Sequence, residues 1–237
     1  MSRLPALLLA PVALRQGRKL QRDTPRLTEA HGARDGLVGG GAPTGTARPL
    51  RLLVVGDSTA MGTGVATLDD GIPGRLARLL VAGPAAAGRG VAWRAVGRNG
   101  ATAAEVLDEF ATAAVAAHFD LAVVMVGWND ALRLRPGAEF SRRLGALLDG
   151  LHAGSPDARL VVVEPPEFGR FPSMPNPLRF ALGRHASGLT GRAGRAAHAH
   201  GALTAPGFDG QSLASDGFHP DGAGYQRLAE GIAAAVA

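Results

Sequence analysis

The sequence contains no cysteine, which excludes a disulfide framework, a thiolate metal site and a cysteine nucleophile. Any nucleophile must be Ser, Thr, Lys, Asp or Glu. No long hydrophobic run is present. The most apolar stretch, Leu4–Leu14 (LPALLLAPVAL), falls short of the roughly 17–25 residues that cross a bilayer. Gly-x-Ser-x-Gly is absent, which argues against an α/β-hydrolase elbow. Gly39–Gly41 is followed by no lysine and has no strand pattern before it, so it does not read as a phosphate loop. A basic surplus over the main part of the chain is also missing. Through residue 28, six basic residues face the single acid Asp23, whereas from Glu29 onward 19 basic residues balance 19 acidic ones. A nucleic-acid groove needs a local surplus of cations, and a nucleic-acid partner is not expected.

What is present suits one enzyme-sized domain. The 237 residues are 46% hydrophobic and 19% charged, enough for a sizeable core and too few for two catalytic domains. Arg3 and the apolar run give a weak signal-peptide outline, but no small-x-small cleavage site follows, and Arg15, Arg18, Lys19 and Arg22 come at once. A cytoplasmic protein is expected, with secreted or membrane-associated as alternatives. The apolar run Leu4–Leu14 with the basic residues after it admits two readings: a helix packed on the domain, or weak contact with an anionic membrane surface. Pro11 spoils a continuous amphipathic helix, which favours the packed helix over membrane contact. His31–Pro49 is rich in Gly, Pro and Thr without periodicity and reads as a connector. The division expected is therefore 1–49, an apolar and basic segment with a connector, and 50–237, a catalytic domain.

From Leu50 the chain alternates β-branched runs with helical patterns. Arg51–Val55, Val91–Val96, Leu121–Val126 and Leu160–Val163 read as strands, with Ala202–Thr204 a weaker fifth. Helical spacing covers Ile72–Val81, Thr102–Ala117, Ala138–Leu151, Leu178–His200 and Gly222–Val236. Strands apolar on both faces and separated by helices imply a parallel sheet covered on both sides. With right-handed crossovers this is a three-layer α/β/α sandwich around a five-stranded parallel sheet.

Ligands in such sheets bind beyond the carboxyl ends of the strands. Strand ends here read Gly56-Asp57-Ser58-Thr59, Gly97-Arg98-Asn99-Gly100 and Gly127-Trp128-Asn129-Asp130, and the last loop reads Asp216-Gly217-Phe218-His219-Pro220. Ser58 needs an adjacent base to act as a nucleophile, and His219 is the candidate. Asp216, three residues earlier, suits the role of orienting the imidazole and stabilising its charged form. The backbone N–H groups of Ser58 and Gly100 and the Asn129 amide are candidate oxyanion donors.

These blocks resemble the SGNH hydrolase family, the GDSL-type esterases and lipases. The matches are Ser58 in Gly-Asp-Ser-Thr, Gly100 in Asn-Gly-Ala-Thr, Asn129 in Gly-Trp-Asn-Asp, and Asp216 with His219 in Asp-Gly-Phe-His-Pro. The resemblance covers Leu50 to Ala237 and departs from the name motif only at Thr59, where Leu would complete it. It implies a flavodoxin-like fold and a carboxylic ester hydrolase acting through an acyl-enzyme, with a small-molecule ester as partner and no cofactor or metal. Alone, each block has an ordinary reading: a turn at Gly-Asp-Ser, a turn at Asn99-Gly100, a helix cap at Asn129-Asp130, a surface loop at 216–219. Their order at successive strand ends carries the argument. A non-catalytic binding protein on this fold and an acyltransferase using the same site are the alternatives, and the oligomeric state is left open.

The remaining histidines, His31, His118, His152, His185, His198 and His200, show no ligand spacing and read as surface or helix-end residues. The connection Glu164–Leu182 carries Phe168, Phe171 and Met174 beside several prolines. Its two readings are the lining of an acyl pocket and a rigid cover.

Overall fold

The computed structural model describes residues 4–39, 48–116 and 118–237, with backbone alone for 4–10. In chain order the elements are α1 (Leu4–Asp23), β1 (Asp35–Val38), β2 (Leu50–Gly56), α2 (Ile72–Ala82), β3 (Val91–Gly97), α3 (Ala103–Val115) and β4 (Leu121–Met125). There follow α4 (Trp128–Leu132), α5 (Gly137–Gly154), β5 (Arg159–Val163), α6 (Leu178–Ala199), β6 (Leu203–Ala205) and α7 (Gly222–Val236). The sheet has the order β1-β3-β2-β4-β5-β6. Strands β2 to β6 are all parallel, as their two-sided apolar sequences require.

Alternation along the strands sorts the core into two halves. Leu52 and Val54 of β2 join Val123 of β4 and Val161 of β5 under α2 and α7, where Leu76, Tyr225 and Ile232 are fully buried. Leu53, Val55, Val124 and Val162 point the other way, against Val106 of α3, Phe140 and Leu144 of α5 and Leu189 of α6. Each such large side chain contributes about 1.5–3 kcal/mol on burial. The result is the three-layer α/β/α sandwich.

The sheet has six strands where the sequence pattern predicts five, and the extra one is antiparallel. Asp35–Val38 lies within the stretch read as a connector and pairs with β3, Gly36 opposite Trp93. Two physical facts hid it. The strand is four residues long with Leu37 exposed, so there is no buried run to detect. Gly36 is also required by packing rather than by flexibility, because a Cβ there would lie 2.5 Å from the Trp93 ring. The residues just before β1 are tied down as well: Ala30 N–H donates to the Met61 carbonyl and His31 N–H to that of Ala66.

A second difference is α1, which runs through Pro11 without a break. Proline removes one N–H and crowds the preceding turn, but strong helix formers on both sides carry the helix past it. Its second half docks on the start of α6. Gln16 Nε2 donates to the Asn176 carbonyl at 2.7 Å, Gln16 Oε1 accepts from Leu178 N–H at 3.1 Å, and Leu20 packs against the core. Among the described residues no helix is long and apolar enough to cross a membrane.

Candidate active site

The site lies at the carboxyl edge of the sheet, where β2, β3 and β4 end side by side. Gly56 closes β2 with φ +159°, and a Cβ there would collide with the Met125 backbone. That close approach turns the chain sharply and sets Asp57 and Ser58 over the strand ends, both nearly buried. The turn is held by Asp57 N–H donating to the Met125 carbonyl and Thr63 N–H donating to that of Ser58. Below it the buried Tyr225 hydroxyl donates to the Thr63 carbonyl at 2.8 Å.

The second contributor is the loop 213–220, folded back on itself by a bridge between Leu213 and Pro220. Asp221 ends it by capping α7, accepting from Ala223 and Gly224 N–H. Within this loop Asp216 Oδ1 accepts from the N–H groups of Phe218 and His219, both at 3.0 Å. Asp216 Oδ2 lies 2.5 Å from His219 Nδ1, and His219 Nε2 lies 2.9 Å from Ser58 Oγ. The carboxylate makes Nδ1 the protonated nitrogen, which leaves Nε2 as acceptor for the serine hydroxyl. Burial alone would raise the pKa of Asp216. The imidazole and the two backbone N–H groups outweigh it and hold this carboxyl below its ordinary value.

The oxyanion candidates also reach this edge, in two different conditions. The N–H groups of Ser58 and Gly100 donate to no acceptor among the described residues, and Gly100 takes φ +78°, a left-handed turn that suits glycine. The Asn129 side chain is engaged: its Nδ2 donates to the Ala101 carbonyl at 3.1 Å and to Asp57 Oδ2 at 3.4 Å. Asn129 thereby links the Gly100 loop to the carboxyl beside the nucleophile.

Three participants escaped the sequence reading. Asp57 sits in the Gly-Asp-Ser block, but its setting is not visible there: burial pushes its pKa up to about 7, against the hydrogen bond from Thr59 N–H. Glu29, far upstream, accepts from Asn99 N–H at 2.6 Å through one oxygen and from Arg34 at 2.8 Å through the other, while Asn99 Nδ2 donates to the Leu27 carbonyl. Arg133 donates to the Gly100 carbonyl at 2.8 Å and pairs with Glu105. The Gly100 loop is thus gripped from both sides.

The aromatic connection is a cover. Phe168, Phe171 and Met174 are buried. Phe168 stacks on Trp128 with centroids 4.0 Å apart, and Phe171 stacks on Phe218 at 6.1 Å. This cluster packs the residues next to Asn129 and His219 in place and is not the lining of an open pocket. Between it and the sheet lies a small cavity of about 30 Å³ bounded by Asp57, Trp128, Glu164 and Pro165.

A sheet edge that gathers a serine, an imidazole and a carboxylate on a three-layer α/β/α frame defines the class as a hydrolase. The model of the GDSL-like lipase/acylhydrolase family matches residues 54–227, and the chain belongs to that family. It is an esterase of the SGNH type. Several solved structures share the fold. A structure of TesA is 23% identical, with 77% of this chain and 95% of that one covered and a TM-score of 0.62. The lipase/acylhydrolase from Enterococcus faecalis is 21% identical, with coverages of 78% and 94% and a TM-score of 0.61. The psychrotrophic esterase EstA from Pseudoalteromonas sp., in a structure inhibited by monoethylphosphonate, is 18% identical, with coverages of 78% and 96% and a TM-score of 0.61. No curated protein matches the sequence significantly.

Proposed function

We propose that the protein hydrolyses carboxylic esters through a Ser58-His219-Asp216 triad and an acyl-enzyme. The observation that carries this reading is the unbroken relay from Asp216 Oδ2 through both imidazole nitrogens to Ser58 Oγ. Oγ attacks the ester carbonyl while its proton passes to His219 Nε2, and the ionised Asp216 stabilises the imidazolium. The tetrahedral oxyanion is met by the N–H groups of Ser58 and Gly100, which are free to donate. Asn129 joins them by exchanging its long 3.4 Å contact with Asp57 for the oxyanion. Collapse returns the proton from Nε2 to the leaving alcohol. Water then attacks the acyl-enzyme by the same route and releases the acid.

Turnover of a nitrophenyl acetate tests the assignment. Ser58→Ala removes a hydroxyl and leaves the turn's backbone bonds in place, so the variant stays folded and loses turnover by several orders of magnitude, about 10⁶ in serine hydrolases. A folded variant with wild-type turnover contradicts the proposal.

A further inference from the structure

We propose that the face shared by α1 and the first half of α6 docks onto an anionic lipid bilayer, seating the catalytic edge at the membrane surface. The charge is concentrated there. α1 and the first half of α6, residues 178–188, carry six basic residues and one acid, Asp23, against 19 basic and 19 acidic residues in the rest of the chain. Lys19 and Arg22 are occupied by Asp23. Arg15, Arg18, Arg179 and Arg184 make no ion pair or side-chain hydrogen bond among the described residues, so four guanidinium groups stand without a counter-charge in the fold.

Apolar side chains stand among these cations. Val12, Leu14 and Phe180 are 47%, 64% and 67% exposed, three of the seven exposed large hydrophobics among the described residues. Beside Phe180 an open groove of about 550 Å³ runs between the Gly169 turn and α6, flanked by Asn176, Arg179, Gly183 and Arg184. Phe180, Gly183, Arg184 and Ser187 line it at i, i+3, i+4 and i+7, which is one helix face. Gly183 leaves it open, because a Cβ there would meet nothing. Cations that reach phosphate, next to aliphatic and aromatic groups that enter the acyl boundary, are the chemistry of an interfacial helix. A nucleic acid would use the cations but has no place for Val12 and Leu14.

The position follows from the fold. Gln16 fastens α1 to Asn176 and Leu178 at the entrance of α6. The connection that supplies Gly169 and Asn176 also stacks Phe168 on Trp128, next to Asn129, and lays Ser173 against Gly217 in the catalytic loop. Docking therefore brings the ester-binding edge near the lipid. The surface rests on charge and exposure and does not depend on the chemistry assigned to Ser58.

The test is co-sedimentation of the full chain with vesicles of phosphatidylglycerol and, separately, of phosphatidylcholine. Binding is expected to phosphatidylglycerol alone and to weaken as salt is raised. Arg179→Gln with Arg184→Gln should weaken it about 25-fold, at roughly fivefold for each cation near the surface. Phe180→Ser should weaken it at unchanged charge. Both variants should turn over water-soluble nitrophenyl acetate at the wild-type rate. Failure to bind phosphatidylglycerol, equal binding by the arginine variant, or duplex DNA bound as tightly with no effect of Phe180→Ser would each overturn the proposal.

Discussion

Asp57 and Asp216 are two carboxyls in one site with opposite settings, and the opposition has measurable consequences. Asp57 has lost its water and gained mainly one backbone N–H, so burial dominates and its pKa lies at about 7. In the unfolded chain an aspartate titrates near 3.9. Since the folded value is the higher one, the native state favours the protonated form. Its stabilising contribution is complete below about pH 4, is lost as pH rises toward about 7, and is absent above. Asp57→Asn, which carries no charge at any pH, should therefore gain stability relative to the wild type at about pH 8 and not at about pH 4. Urea unfolding at the two pH values measures this; an equal difference at both would show that burial does not govern this group. Asp216 is held below its ordinary value by the imidazole and two N–H groups, and it stays ionised throughout the working range. Asp216→Asn keeps the loop but favours the wrong imidazole tautomer, so kcat should fall by about 10⁴, the loss typical of serine triads. Wild-type kcat in Asp216→Asn would mean that another group orients the imidazole.

At the scale of elements, the central strands were legible because they are short aliphatic runs buried on both faces, as in Leu121–Met125. The site blocks were legible because each is local: Gly-Asp-Ser follows one strand, and Asp216 and His219 share one loop. What was not legible depends on partners distant in the chain. β1 is recognisable only beside Trp93, whose ring takes the space a side chain at Gly36 would need. Glu29 means nothing in sequence until the fold brings Asn99 N–H to 2.6 Å from its carboxylate, 70 residues away. The same holds for the aromatic connection, where composition fits both a pocket and a cover and only burial of Phe168 and Phe171 decides. Segment 27–38 thereby steadies the loop that presents the Gly100 N–H, although it precedes the part of the chain matched by the family model. Glu29→Ala should lower kcat about tenfold to a hundredfold, less than outright loss of an oxyanion donor, with KM little changed. Glu29→Gln, which still accepts from Asn99, should recover most of it. A change confined to KM, or none, would make Glu29 only a surface link.

For the molecule as a whole, the parallel sheet acts as the ruler that brings residues 161 positions apart, Ser58 and His219, to 2.9 Å. β2 runs between β3 and β4 in register, Gly56 opposite Gly97 and Met125, so the Ser58 turn, the Gly100 loop and Asn129 leave the sheet at one level. Helix α7, capped by Asp221, returns the last loop to the same level. Each layer is thus tied to the chemistry through backbone that the core makes rigid. The central claim is that this arrangement makes one hydroxyl of the chain a nucleophile. The most direct measurement is intact-protein and peptide mass spectrometry after reaction with an alkyl fluorophosphonate. The account predicts a single adduct, located on Ser58, absent in Ser58→Ala and formed far more slowly in His219→Ala. No adduct on the folded wild type, or an adduct on another residue that persists in Ser58→Ala, would contradict it.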